Sequence, residues 1–311
     1  DWFKYGKGLA GINMMSYGDF PEIANDYSDK SIQIPRGAII NGNLNEVFDV
    51  DTRDPEQVQE FVDHSWYKYP EADKGLHPWD GITDQHYELP PGSDGTETKF
   101  NWLAPDGKYS WIKSPRWRGH MMEVGPLARM VIGIAKNVPH YKEPALELLK
   151  ELNLPLEAAF STLGRHAARA LECEWITHKL VQYIDDLTAN IKAGDETAAN
   201  MEFWEPKTWP KECRGVGPCE APRGALAHYC VIKNGRLENW QAVVPTTWNA
   251  SPRSSEGQKG TYELSLIGTP LADPKRPLEI IRTIHSFDPC LACATHLYSP
   301  EGEELTSVQV C

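Results

Sequence analysis

Cys290, Cys293 and His296 stand three residues apart in the run HSFDPCLACATH (285–296), and a short polar tail, LYSPEGEELTSVQVC, follows them. Two thiolates and an imidazole at that spacing can turn toward one point. Soft sulfur donors select zinc, copper(I), iron or nickel over magnesium or calcium. The Cys-x-x-Cys pair is open to several readings: half of a zinc site, part of an iron–sulfur site, a thioredoxin-type redox pair, or two buried thiols with no chemistry. Asp288 disfavours the redox pair, because a nearby carboxylate raises a thiol's pKa. Pro289 fixes the backbone entering the pair and removes a donor. Two thiolates do not complete a usual site, which takes four ligands. Cys213 and Cys219 are available, but their spacing is not that of a half-site, so a partner or a region N-terminal to this chain must supply the rest.

The elements that would position these groups fall into blocks. Residues 1–115 are expected to be rich in β-hairpins and loops, with turns at Asn41-Gly42 and at Pro105-Asp106-Gly107. Residues 116–194 read as a helical bundle segment. LARMVIGIAKN and PALELLKEL carry Pro126 and Pro144 near their starts, where a missing N–H costs nothing. The stretch from Leu156 to Ile191 has apolar residues at helical intervals and predicts one helix of about 35 residues, the spine of a bundle. Residues 195–296 form an α+β segment with a hairpin at Asn234-Gly235 and a short helix over 276–287 that delivers the chain to the cysteines. Residues 297–311 are a C-terminal extension. The fold class is α+β, with helices and hairpins in segregated blocks.

Composition narrows the function. The 311 residues carry a net charge of −13, which disfavours nucleic acid and anionic lipid as partners. The longest apolar run, LARMVIGIA, is interrupted by Arg129 and is too short to cross a bilayer. The first residues lack the pattern of a signal peptide, and the absence of an initiator Met suggests the middle of a longer protein. Seven cysteines without regular spacing argue for ligands or buried thiols rather than a disulfide framework.

Several longer motifs then carry a resemblance. DPCLACATH, together with KYSWIKSPRWRGHMMEVGPLARM (108–130), STLGRHAARALE (161–172), GVGPCEAPRGALAHY (215–229), NWQAVVPTTWNASPR (239–253) and RPLEIIRTIHSFDPC (276–290), resembles the large, catalytic subunit of nickel–iron hydrogenases of the membrane-associated uptake type. The resemblance implies a partial large-subunit fold with a long-helix bundle. It also implies a nickel–iron centre whose iron bears cyanide and carbon monoxide, with Cys290 the terminal nickel ligand and Cys293 the bridge to iron. The family's N-terminal cysteine pair and its proton-relay glutamate are absent here, so the chain is expected to be the C-terminal half of the subunit and inactive alone.

By the same resemblance, Arg223 is the guanidinium over the open metal position and Asp288 the carboxylate that orients it. Pro222, Val244, Pro245 and Thr246 line the diatomic ligands, with Thr246 donating to a cyanide. His296 and the backbone carbonyl of Ala242 would ligate a magnesium ion. His228, His285, Cys219, Cys173 and Cys230 are expected in the shell or core. Cleavage between His296 and Leu297 by a maturation endopeptidase, after nickel-insertion proteins have acted, would remove the tail. The implied partners are an iron–sulfur small subunit and a membrane cytochrome b or quinone link. The implied location is cytoplasmic during maturation, then the periplasmic face of the membrane after export with the small subunit. Two other functions fit the bare residues: a metal-free structural subunit of a respiratory complex, and a zinc-stabilised module.

Overall fold

Asn234 and Gly235 both take positive φ, 51° and 69°, and close a two-residue hairpin, the geometry that an Asn-Gly pair favours. The hairpin belongs to a computed structural model that describes residues 12–23, 25–71, 74–86, 107–199, 201–202, 204–254, 257–290, 294–298 and 304–309, the last two by backbone. In chain order the strands are β1 (Met14–Pro21), β2 (Ile32–Ile39), β3 (Val58–Phe61), β4 (Ser114–Trp117) and β5 (Glu123–Val124). Helices α1 (Pro126–Ala135), α2 (Pro139–Glu151) and α3 (Thr162–Lys192) follow. The chain then forms β6 (Glu212–Ala221), β7 (Gly224–Lys233), β8 (Arg236–Val243), α4 (Pro245–Asn249), α5 (Thr261–Leu266), α6 (Leu278–His285), β9 (Ala294–Tyr298) and β10 (Glu304–Gln309).

β1 lies between β2, antiparallel, and β5, parallel. β6, β7 and β8 make an antiparallel sheet in that order, and β3 pairs with β4. Successive side chains of a strand face opposite ways, and both faces of β1 are covered. Met15 packs with Trp117, Ala225, Tyr229, Val243 and Trp248 in a core between the sheets. Met14 packs with Leu127, Val131, Ile132, Tyr141 and Ala168 in a second core against the helices. β1 therefore joins the two halves of the interior.

The long helix is 31 residues, shorter than the sequence predicts. Leu156–Ala159 forms a separate turn, and Ser161 caps the helix by accepting the Gly164 N–H at 3.1 Å. Its N-terminal third is buried through Thr162, Arg165, Ala168 and Glu172. Through that third α3 packs against α1 and α2, while beyond it Leu180, Val181, Ile184, Leu187 and Ile191 are exposed among the described residues. Cys173 is likewise exposed rather than in the core, because nothing among the described residues covers that turn. Pro144 sits inside α2, which begins a turn earlier at Pro139. Asn41 and Gly42 do turn the chain with positive φ, but the strand that returns makes a single bridge, Ala38 to Phe48. The turn expected at 105–107 lies partly outside the described residues.

His77 ties the N-terminal segment to the β6–β8 sheet. Its Nδ1 accepts the Trp79 N–H at 3.3 Å while Nε2 faces the Thr52 carbonyl at 3.2 Å, and Trp79 Nε1 donates to the Gly215 carbonyl at 2.8 Å. Both ring nitrogens are used by the neutral imidazole; protonation would set a donor against the Trp79 N–H. Burial lowers the His77 pKa. A depressed pKa contributes stability that is full above about 6.5 and lost as pH falls through the folded value. The urea midpoint is thus expected to drop between pH 7.5 and 5.5, and less steeply in His77→Asn, whose amide does not titrate.

Candidate metal centre

α6 ends at His285, and the N–H of Asp288 bonds to the His285 carbonyl at 2.9 Å. Asp288 takes φ 55°, a left-handed conformation that aspartate tolerates better than most residues. This bend and Pro289 bring Cys290 to the surface with a free, exposed thiol. A second segment is the two-residue loop Pro222-Arg223, closed by pairing of Ala221 with Gly224. Arg223 Nε donates to the Asp288 carbonyl at 2.6 Å and lies 3.1 Å from Oδ2, while Nη2 donates to Oδ1 at 3.2 Å. Both side chains are partly exposed, so the pair adds little stability. Its consequence is orientation: the guanidinium is fixed beside the cysteine loop.

The third segment joins β8 to α4. Val244 is extended, Pro245 opens the helix, and Thr246 is buried. The Cys290 N–H donates to Thr246 Oγ1 at 3.2 Å, which pins the backbone of the thiol-bearing residue. The residues singled out in the sequence thus meet at Arg223–Asp288 and at Thr246–Cys290. Pro222 and Ala242 are exposed, with Ala242 opposite His228 in the β7–β8 ladder. His228 is exposed against Trp240 rather than in a core, and His285 is half-buried. Cys230 is half-buried, as is Cys219, whose thiol burial pushes up. Cys293 lies outside the described residues. His296 and Leu297 lie in β9, their backbones opposite Ser307 and Thr306 of β10. Among the described residues no three His, Cys, Asp or Glu groups converge on one point.

Three arginines stand behind these loops. Arg165 on α3 pairs with Glu123 on β5, Nε to Oε1 at 2.7 Å and Nη2 to Oε2 at 3.0 Å, and its Nη1 reaches Ser286 Oγ at 3.2 Å. Its guanidinium carbon also lies 3.7 Å from the Phe287 ring centre. Arg169 Nη2 donates to the Ser286 carbonyl at 2.8 Å. Arg129 bonds to the carbonyls of Ala221 and Pro222, at 2.9 and 3.0 Å. These groups hold the Asp288 and Arg223 loops from inside. Sequence reading noticed Arg129 only as a break in an apolar run; a charge in a run that must be buried was the available signal.

The sequence model of nickel-dependent hydrogenases matches residues 1–296. The chain belongs to that family. It is 61% identical over 310 residues to the uptake hydrogenase large subunit of Rhizobium leguminosarum bv. viciae, covering all of this chain and 52% of that protein. It is 53% identical to the hydrogenase-1 large chain of Escherichia coli strain K12, over 99% of this chain and 52% of that one. The nickel–iron–selenium hydrogenase of Desulfovibrio vulgaris Hildenborough in its reduced state superimposes with a TM-score of 0.69 at 33% identity, over 93% of this chain and 53% of that one. The α+β architecture is therefore that of the hydrogenase family. The chain spans about half the length of the curated relatives it matches.

Proposed function

We propose that this chain is the C-terminal part of the catalytic subunit of a nickel–iron hydrogenase of the uptake type, oxidising hydrogen to protons and electrons. The observation that carries the reading is the exposed Cys290 thiol, held through its N–H by Thr246, with the Arg223–Asp288 pair alongside it. A soft, exposed thiolate beside a fixed cation suits a nickel ligand. Cys293 would supply the sulfur shared with iron, and the remaining thiolates would come from sequence preceding this chain. When bound, the nickel–iron centre, its iron bearing cyanide and carbon monoxide, supplies the redox chemistry. The protein groups orient and bind. Arg223, fixed in place by Asp288, would act as an electrostatic and positional group beside the centre. Thr246 Oγ1 accepts from Cys290, which leaves its one O–H to donate to a cyanide.

Magnesium bound by His296 and the Ala242 carbonyl belongs to the same proposal. So do an iron–sulfur small subunit, a membrane cytochrome b or quinone acceptor, and a complex matured in the cytoplasm and exported to the periplasmic face. The family match stops at His296, which supports cleavage of the His296–Leu297 bond by a maturation endopeptidase once nickel-insertion proteins have acted. The test is the intact mass and metal content of the full-length subunit purified with its small subunit. A C-terminus at His296 with equal nickel and iron, and hydrogen-dependent dye reduction, is the expected result. One equivalent of zinc with the tail intact would overturn the reading.

A further inference from the structure

Arg129 lies on the first turn of α1 and is 1% exposed. Burying a guanidinium is costly unless each of its five N–H donors is met. All five are. Nε donates to Glu172 Oε1 at 2.7 Å, and Nη2 to Glu172 Oε2 at 2.5 Å and to the Pro222 carbonyl at 3.0 Å. Nη1 donates to Glu220 Oε2 at 2.8 Å and to the Ala221 carbonyl at 2.9 Å. The two carboxylates are held in turn, Glu172 by the Tyr141 hydroxyl at 2.8 Å and Glu220 by the Tyr17 N–H at 2.7 Å.

One carboxylate would balance the single positive charge and two are present, so the two carbonyl bonds are not needed for neutrality and serve the loop. They belong to the residues immediately before Arg223. The same helix start presses on the loop from the other side: an added Cβ at Gly125 would stand 2.8 Å from the Arg223 carbonyl oxygen. We infer that Arg129 is a positioning residue, clamping Ala221 and Pro222 to α1 and thereby setting where Arg223 stands over the metal centre. The inference rests on the role proposed for Arg223. A lysine keeps the charge but offers three donors from one atom, which cannot serve both carbonyls and both carboxylates.

Two measurements test it. The first is amide exchange of this chain, wild type against Arg129→Lys, read on a peptide spanning 219–226 with α2 as reference. Exchange at 223–224 is expected to rise about tenfold, the scale of one lost hydrogen bond, while α2 is unchanged. No change at 223–224 overturns the clamp. The second uses the full-length, metal-loaded enzyme with its small subunit, in a cycle of Arg129→Lys, Arg223→Lys and the double variant.

In that cycle kcat is expected to fall about tenfold in Arg129→Lys, with KM for hydrogen and nickel content unchanged; a small displacement at a reacting centre can cost up to about 10²-fold. In the Arg223→Lys background the same change should alter kcat by less than about twofold. Equal losses in both backgrounds would overturn the inference, because a residue that only supports the fold costs both alike. A wild-type complex without nickel would sink the hydrogenase reading and the role of Arg129 with it. A loaded wild type with multiplicative losses sinks this inference alone.

Discussion

Glu123→Gln is expected to cost about 3–5 kcal/mol of unfolding free energy, the usual loss when one partner of a buried ion pair is removed. Glu123 and Arg165 are 1% and 2% exposed and face each other through two parallel bonds. Gln would leave a buried guanidinium facing a neutral amide, which keeps one acceptor where the carboxylate had two. The consequence should reach the metal loop, because Arg165 also holds Ser286 Oγ and stacks on Phe287, the two residues before Asp288. Urea unfolding monitored by tryptophan fluorescence measures the loss. The double variant Glu123→Leu with Arg165→Met is expected to recover most of it, since an apolar pair of similar volume is often as stable as the ion pair it replaces. In the double variant, exchange at 286–288 should still rise, because the bond to Ser286 is gone. A stable single Glu123→Gln variant would mean that the pair carries no burial penalty.

Some of this site could be read directly from residue order. Asn234-Gly235 between two apolar runs encodes its hairpin locally, and the apolar period of 276–287 encodes α6, so both appear where expected. The motif residues Arg223, Asp288, Thr246 and Cys290 also meet, although 65 positions separate the first two and 44 the last two. β6 was missed because GVGPCEA has the composition of a loop, with two glycines and a proline. The strand tolerates them because β6 is the edge of its sheet, where a missing N–H at Pro218 is cheap. The extent of α3 was misjudged for a different reason. Apolar spacing continues through Leu156 to Phe160, but Ser161 accepts the Gly164 N–H, one of the unpaired donors of the first turn, and starts the helix there. Periodicity reports which face could be buried, not what buries it, so the stripe at Leu180, Ile184, Leu187 and Ile191 does not name its partner. The buried arginines are the hardest case. Their acceptors lie in distant elements, Glu220 being 91 positions from Arg129, and no local pattern announces them.

Gly224→Ala is expected to lose at least about 3 kcal/mol, combining the cost of overpacking with that of a disfavoured backbone angle. Gly224 has φ 127°, a conformation that L side chains rarely adopt. An added Cβ would lie 2.5 Å from the Gly125 nitrogen and 2.8 Å from the Val124 carbonyl carbon. Both neighbours are backbone, in the β5–α1 junction that also carries Arg129, so neither can swing aside as a flexible side chain would. Gly125 is in the same position from the other side, with φ 122°. Two glycines therefore let the Arg223 loop and the start of α1 touch backbone to backbone, which brings the Ala221 and Pro222 carbonyls within reach of Arg129. Gly42→Ala isolates the backbone term, because φ there is 65° and nothing stands within 4 Å. About 1–2 kcal/mol is expected at that site. Gly217→Ala, with open space and no positive φ, should be within about 0.5 kcal/mol of wild type. Denaturant unfolding of the three variants ranks them, and a Gly224→Ala loss no greater than that of Gly42→Ala would refute the close contact. If the contact holds, kcat of the full-length enzyme should also fall in Gly224→Ala with its nickel retained, because the chain would have to move Arg223 away from Asp288 to admit one methyl group.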